Sequence, residues 1–187
     1  MKKIMIIFCA AAILAASAAT AFCGEKESLE RRLSIENDKV ENIQRIYDQS
    51  SPRDIDGDTF YLYIAKRAGR AVPRLVAGFV KKDEILFKSM VINIDGAIYE
   101  ITAKNPRDIY AEVLTAAKVK ESANIPAKPF MNILKHAAGG KKTVVRFKGR
   151  HEDYDIVLTK KQKAALDRVI RYYELINTED DSTAELK

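Results

Sequence analysis

Asp95-Gly96 stands between two runs that alternate apolar and polar residues, and this feature constrains the fold more tightly than any other in the chain. Glycine accepts the positive φ that a type I′ turn demands, and that turn matches the twist of paired antiparallel strands. A two-residue loop also fixes register: Ile94 faces Ala97, Ile92 faces Tyr99 and Met90 faces Ile101. That side is apolar throughout. The other holds Ser89, Asn93, Glu100 and Thr102 beside Val91 and Ile98. The hairpin should therefore pack one face on a core and leave the other partly wet.

The flanking segments extend this pattern. Phe60 to Ile64 is aromatic and β-branched with apolar residues on both faces, as in a central strand. Arg74 to Val80 and Ile85 to Ile94 read as two more strands, joined by the charged turn Lys81 to Glu84. Thr143 to Lys148 alternates, with Val145 and Phe147 on one side, and Tyr154 to Leu158 follows a polar turn. Residues 105–118 stay open between a helix, from the spacing of Ile109, Tyr110, Val113, Leu114 and Ala117, and a loop with a short strand at 111–116. Phe130, Ile133, Leu134 and Ala137 make a short amphipathic helix ended by Gly139-Gly140.

Thr159 with Gln162 three residues on forms a capping box. Leu166, Val169, Ile170 and Tyr173 then lay down the apolar stripe of a C-terminal helix. Six or seven strands and about two helices around one core imply an α+β fold, mainly an antiparallel, sandwich-like sheet.

The ends of the chain carry different information. Lys2 and Lys3 precede the apolar run Ile4 to Ala16, and Ala19-Thr20-Ala21 fits a signal-peptidase site, so residues 1–21 read as a cleaved export signal. Cys23 offers a second reading, a lipid anchor, although Phe22 is bulky where that processing favours a small residue. Residues 22–41 read as a charged N-terminal arm with few apolar points, among them Leu29 and Leu33 at helical spacing. Residues 42–177 form the single β-rich domain, and the acidic stretch 178–187 is expected to be disordered. No membrane span remains once the signal is removed. Without Lys2 and Lys3 the net charge falls from +6 to +4, which argues against a nucleic-acid partner.

Two stretches, FYLYIAKRAG…PRLVAGFVKKDEILFKSMVINIDGAIYEI and KKTVVRFKGRHEDYDIVLTKKQKAALDRVIRYYELI, resemble a loosely defined group of small exported bacterial proteins of unknown function. The resemblance covers roughly residues 43–176. It implies an aromatic strand, an Asp-Gly hairpin ending in Tyr, an Arg-Phe-x-Gly strand and a C-terminal helix, and it carries no activity. The chain departs from the group in lacking Trp and in its helix-like 105–118.

Motifs for specific chemistry fail on inspection. His151-Glu152 begins like H-E-x-x-H, but position 155 is Asp and the segment alternates like a strand. His136 lies near the end of a helix, where it serves the last carbonyls. Asp54, Asp56 and Asp58 suggest calcium, yet Thr59 and Ala65 stand where an EF-hand needs Gly and Glu. Lys142 separates Gly140-Lys141 from Thr143, so the P-loop pattern is broken.

No residue is assigned a catalytic, metal-binding or cofactor-binding role. The basic group Lys141, Lys142, Arg146, Lys148 and Arg150 is the feature kept, with Lys142, Arg146, Lys148 and Arg150 as possible contacts for an anionic partner. The alternative for these cations is a solvated edge strand that deters edge pairing.

The expectation is an exported, envelope-associated, non-catalytic binding or accessory domain, monomeric, with a protein or an anionic surface component as partner. Two other readings stay open. One is a small secreted hydrolase with scattered site residues. The other is a proteinaceous inhibitor that presents the loop 50–59.

Overall fold

The hairpin at Asp95-Gly96 forms in the expected register, pairing Ser89–Ile94 with Ala97–Thr102. Asp95 and Gly96 both take positive φ, 52° and 98°, and Met90, Ile92, Ile94 and Ile101 are buried while Ile98 is exposed. The computed structural model describes residues 24–184, with side chains through Asn177. Residues 1–21, read above as an export signal, and Cys23 lie outside the described residues.

Among the described residues there are ten strands, all paired antiparallel, in two sheets. They are β1 (Leu33–Asp38), β2 (Ile43–Asp48), β3 (Thr59–Arg67), β4 (Arg70–Lys81), β5 (Ser89–Ile94), β6 (Ala97–Thr102), β7 (Ile109–Thr115), β8 (Lys118–Pro126), β9 (Thr143–Lys148) and β10 (Asp153–Val157). The first sheet has six strands in the order β1-β2-β3-β4-β8-β7, and the second has four, β10-β9-β5-β6. Helices are α1 (24–30), α2 (Met131–Gly139) and α3 (Lys160–Ala184). The fold is α+β with a dominant antiparallel, sandwich-like core and a packed C-terminal helix.

The core joins the inner faces of both sheets. Phe60, Leu62 and Ile64 of β3 and Leu75, Ala77 and Phe79 of β4 meet Met90, Ile92, Val145 and Phe147 of the second sheet. Phe79, Phe87 and Phe147 pack with centroids 4.9–6.0 Å apart, an arrangement worth more than its buried area alone. α3 lays Leu166, Val169, Ile170 and Tyr173 into the same core and packs on β2, β3 and α2. Its capping box is formed in both directions, Thr159 N to Gln162 Oε1 at 2.9 Å and Gln162 N to Thr159 Oγ1 at 3.1 Å.

Several expectations are corrected. The strand placed at Ile85–Ile94 begins only at Ser89, because the amides of residues 85–87 bind a buried carboxylate instead of a neighbouring strand. Strands outnumber the expected six or seven since β1, β2, β7 and β8 were hidden in charged or ambiguous sequence. The 22–41 arm is integral to the fold: Leu29 and Leu33 are buried, and β1 pairs with β2 along its whole length. Of the two readings left open for 105–118, the strand is the one that forms: a short 3-10 turn precedes β7. The helix α3 continues through the acidic stretch to Ala184, since extending a formed helix costs far less than starting one.

Candidate functional site

The basic strand is a different object in three dimensions. Pairing of β9 with β10 sets Arg146 opposite Asp155 and Lys148 opposite Asp153. Arg146 donates to both oxygens of Asp155 at 2.6 Å, and Lys148 Nζ meets Asp153 at 2.6 Å. The Arg146 guanidinium holds the Asp155 carboxyl below the usual carboxylate range. Lys142 and Arg150 stand exposed at the two ends of β9, and neither side chain forms a salt bridge among the described residues. The middle of the stripe is thus neutralised, and its free cations are separated by the length of the strand.

The other sequence candidates are held by ordinary contacts. His136 Nδ1 lies 3.0 Å from the Tyr99 hydroxyl at the end of α2, and His151 is exposed in the β9–β10 turn. Asp58 accepts from the Tyr154 hydroxyl at 2.9 Å, and Asp54 lies 3.5 Å from Lys120. Among the described residues no three His, Cys, Asp or Glu side chains gather as a metal would require. The turn at Lys141-Lys142 gives both backbone N–H groups to Asp95 at 2.8 Å, which holds that carboxyl low. Loop 50–59 folds onto the outer face of the first sheet, where Arg53 lies 4.1 Å from the centre of the Tyr47 ring and Ile55 packs on Tyr47, Tyr61 and Tyr63. It does not stand clear of the body.

A different region gathers the features of a binding surface. β8 carries Glu121, Ala123 and Ile125 inward, so their partners on β7, Ala111 and Ile109, face the same way. The alternate residues Tyr110 and Glu112 face outward. Glu121 is only 1% exposed. Its carboxylate accepts the N–H of Ile85 at 2.5 Å, Leu86 at 3.1 Å and Phe87 at 3.0 Å. This cradle turns 85–88 away from the sheet, with Leu86 at φ 53°, and opens an apolar groove beside β7. The groove has a volume of about 490 Å³ and is lined by Leu86, Phe87, Ala103, Pro106, Ile109 and Ala111, together with Lys88 and Glu121.

β7 continues the groove outward. It is the terminal strand of its sheet and pairs only with β8 among the described residues. Tyr110, Val113 and Leu114 are 56%, 72% and 41% exposed, three large apolar side chains within five residues. The only charge on the strand is Glu112, already bound by Lys120 at 2.6 Å. The strand was one of the two readings left open for 105–118, because Ile109, Val113 and Leu114 also fit a helix, and β7 matches it; the period-two set Ile109, Ala111, Val113 was the signal that could have decided between them. No family model, no curated protein and no solved structure matches the chain.

Proposed function

We propose that this chain is an exported, non-catalytic binding domain of the cell envelope that takes an extended polypeptide segment of a partner along β7. One observation carries the reading: a terminal strand, paired on one side only among the described residues, runs beside an apolar groove and offers its outer row of N–H and C=O groups. An added strand would satisfy that row and place alternate side chains into the groove, which is how sheet edges recognise peptides. A lipid chain would fill the groove but leave the row unused. The acid at the groove, Glu121, supports binding over catalysis, since its oxygens are spent on three backbone donors. The export signal at residues 1–21 is the basis for the envelope location.

Panning a displayed library of random linear peptides on the chain from Phe22 onward tests this. Enriched peptides should alternate apolar and polar residues and should slow hydrogen exchange at residues 109–115. Ala111→Glu, which sets a charge on the groove wall, should weaken their binding at least roughly tenfold, because a charge left unpaired against apolar surface is strongly disfavoured. Absence of enrichment, or peptides that leave β7 exchange unchanged, would overturn the proposal.

A further inference from the structure

A second surface, independent of β7, lies at one end of the first sheet. The register aligns Asp38 with Ile43, Gln44 with Lys66, and Arg67 with Arg70. The β1–β2 turn (39–42) and the β3–β4 turn (68–69) therefore emerge side by side along one rim. β4 begins at Arg70, whereas β8 reaches only as far as Arg74. The β3–β4 hairpin thus stands clear of β8 by roughly 13 Å, at about 3.3 Å per residue.

This rim is cationic and apolar together. Lys39, Lys66, Arg67 and Arg70 have no carboxylate partner among the described residues, while the two acids of the rim, Asp38 and Glu41, both pair with Arg45 at 3.0 and 2.8 Å. Between the cations Val40 is 96% exposed and Val72 is 42% exposed. Ala68 occupies the turn itself with φ 48°. The Arg67–Arg70 pairing is the most telling feature. Like charges set directly opposite on neighbouring strands repel and weaken the hairpin, so this arrangement costs stability in the isolated chain. An anionic plane removes that cost. Apolar side chains flanked by Lys and Arg also suit the headgroup layer, where aliphatic stems and side chains settle among lipids while charges meet phosphates.

We infer that this rim docks on the anionic phospholipid surface of a membrane, Lys39, Lys66, Arg67 and Arg70 meeting lipid phosphates and Val40 entering the headgroup layer. The contact is peripheral. Among the described residues no helix is long and apolar enough to cross a membrane.

Sedimentation with vesicles tests the inference, using the chain from Phe22 onward, which contains every described element and lacks the apolar N-terminal run. Vesicles of mixed phosphatidylglycerol and phosphatidylcholine should bind it at least about tenfold better than phosphatidylcholine alone, given the attraction of each basic residue to an anionic leaflet. Arg67→Glu should abolish that preference. The same change sets an opposite charge across from Arg70, so the variant is expected to melt no lower than the parent, separating lost binding from lost folding. Lys161→Glu, an identical change of charge at the start of α3, should leave binding unchanged. Equal binding to both vesicle types would overturn the inference, as would equal loss from Arg67→Glu and Lys161→Glu, which would reduce the effect to net charge.

Discussion

β1 and β7 close the two ends of the same six-stranded sheet, and they are finished in opposite ways. At β1 the chain invests charge and side-chain hydrogen bonds. Glu36 binds Arg53 at 2.5 Å, Asp38 binds Arg45, and Gln49 donates to the carbonyls of Arg31 and Leu33. Leu33 is buried at the start of the strand, and Ile35 is its one exposed large apolar residue. At β7 every side chain after Ile109 is exposed, three of them large and apolar, and the single acid is already neutralised. Proteins blunt an edge with inward charges, Pro or Lys to prevent strand addition. A chain that seals one edge this way and leaves the other apolar has an edge available for use.

The largest effect should appear at the sealed side. Asp48, 1% exposed at the end of β2, accepts from Arg168 of α3 at 2.6 and 3.1 Å and from Ser50 at 2.6 Å. Burial works to raise its carboxyl, but the hydrogen bonds from Arg168 and Ser50 outweigh it and hold the group below its usual range. Asp48→Asn should cost about 3 kcal/mol, the scale of breaking a buried pair, and lower the melting temperature by roughly 6–12 °C. The unfolded chain takes up this proton at higher pH than the folded one, so the stabilisation is present above about pH 4 and is lost as pH falls through the folded value. Melting curves taken down to acid pH should therefore show a shallower loss in Asp48→Asn than in the parent.

A smaller effect is expected where the groove is built. Glu121→Gln keeps one oxygen but removes the charge that holds three amides, and should cost about 2 kcal/mol. The loss should be local. Hydrogen exchange at Ile85 to Phe87 should quicken while α3 is unaffected, because those amides depend on Glu121 alone. Uniform loss of protection would mean that the groove wall and the sealed side fold as one unit, which would weaken the contrast between them.

The same contrast explains what the sequence made legible. The Asp95-Gly96 register, the Thr159 capping box and the Leu166–Tyr173 stripe rest on local rules, a turn type or a helical period, and each formed as expected. β1 was obscured because an edge strand needs only Leu33 buried, so its charges resemble a tether. β7 was obscured because an uncovered strand lacks the polar face that separates period two from period 3.6. The basic strand looked more cationic in sequence than in space for a related reason. Its charges are answered by Asp153 and Asp155, and pairing Arg146 with Asp155 across the 149–152 turn would have revealed it from alternation alone. Glu121 had no local signal, since its partners lie 34 to 36 residues away.

The smallest effect on stability is the most informative test of the open edge. Val113 is 72% exposed, so its side chain contributes little to the folded state, and Val113→Lys should change stability by no more than about 0.5 kcal/mol, as surface substitutions do. Lysine on an edge strand is also the device by which sheets refuse an added strand. Peptides selected on the parent should therefore bind Val113→Lys at least roughly tenfold less well while the melting temperature stays put. Truncating Leu33 to Ala at the opposite edge should do the reverse, costing about 2–3 kcal/mol and leaving peptide affinity intact. A large stability loss in Val113→Lys, joined to a parent that is dimeric and a lysine variant that is monomeric by sedimentation equilibrium, would show instead that β7 is covered in solution by a second copy of the chain.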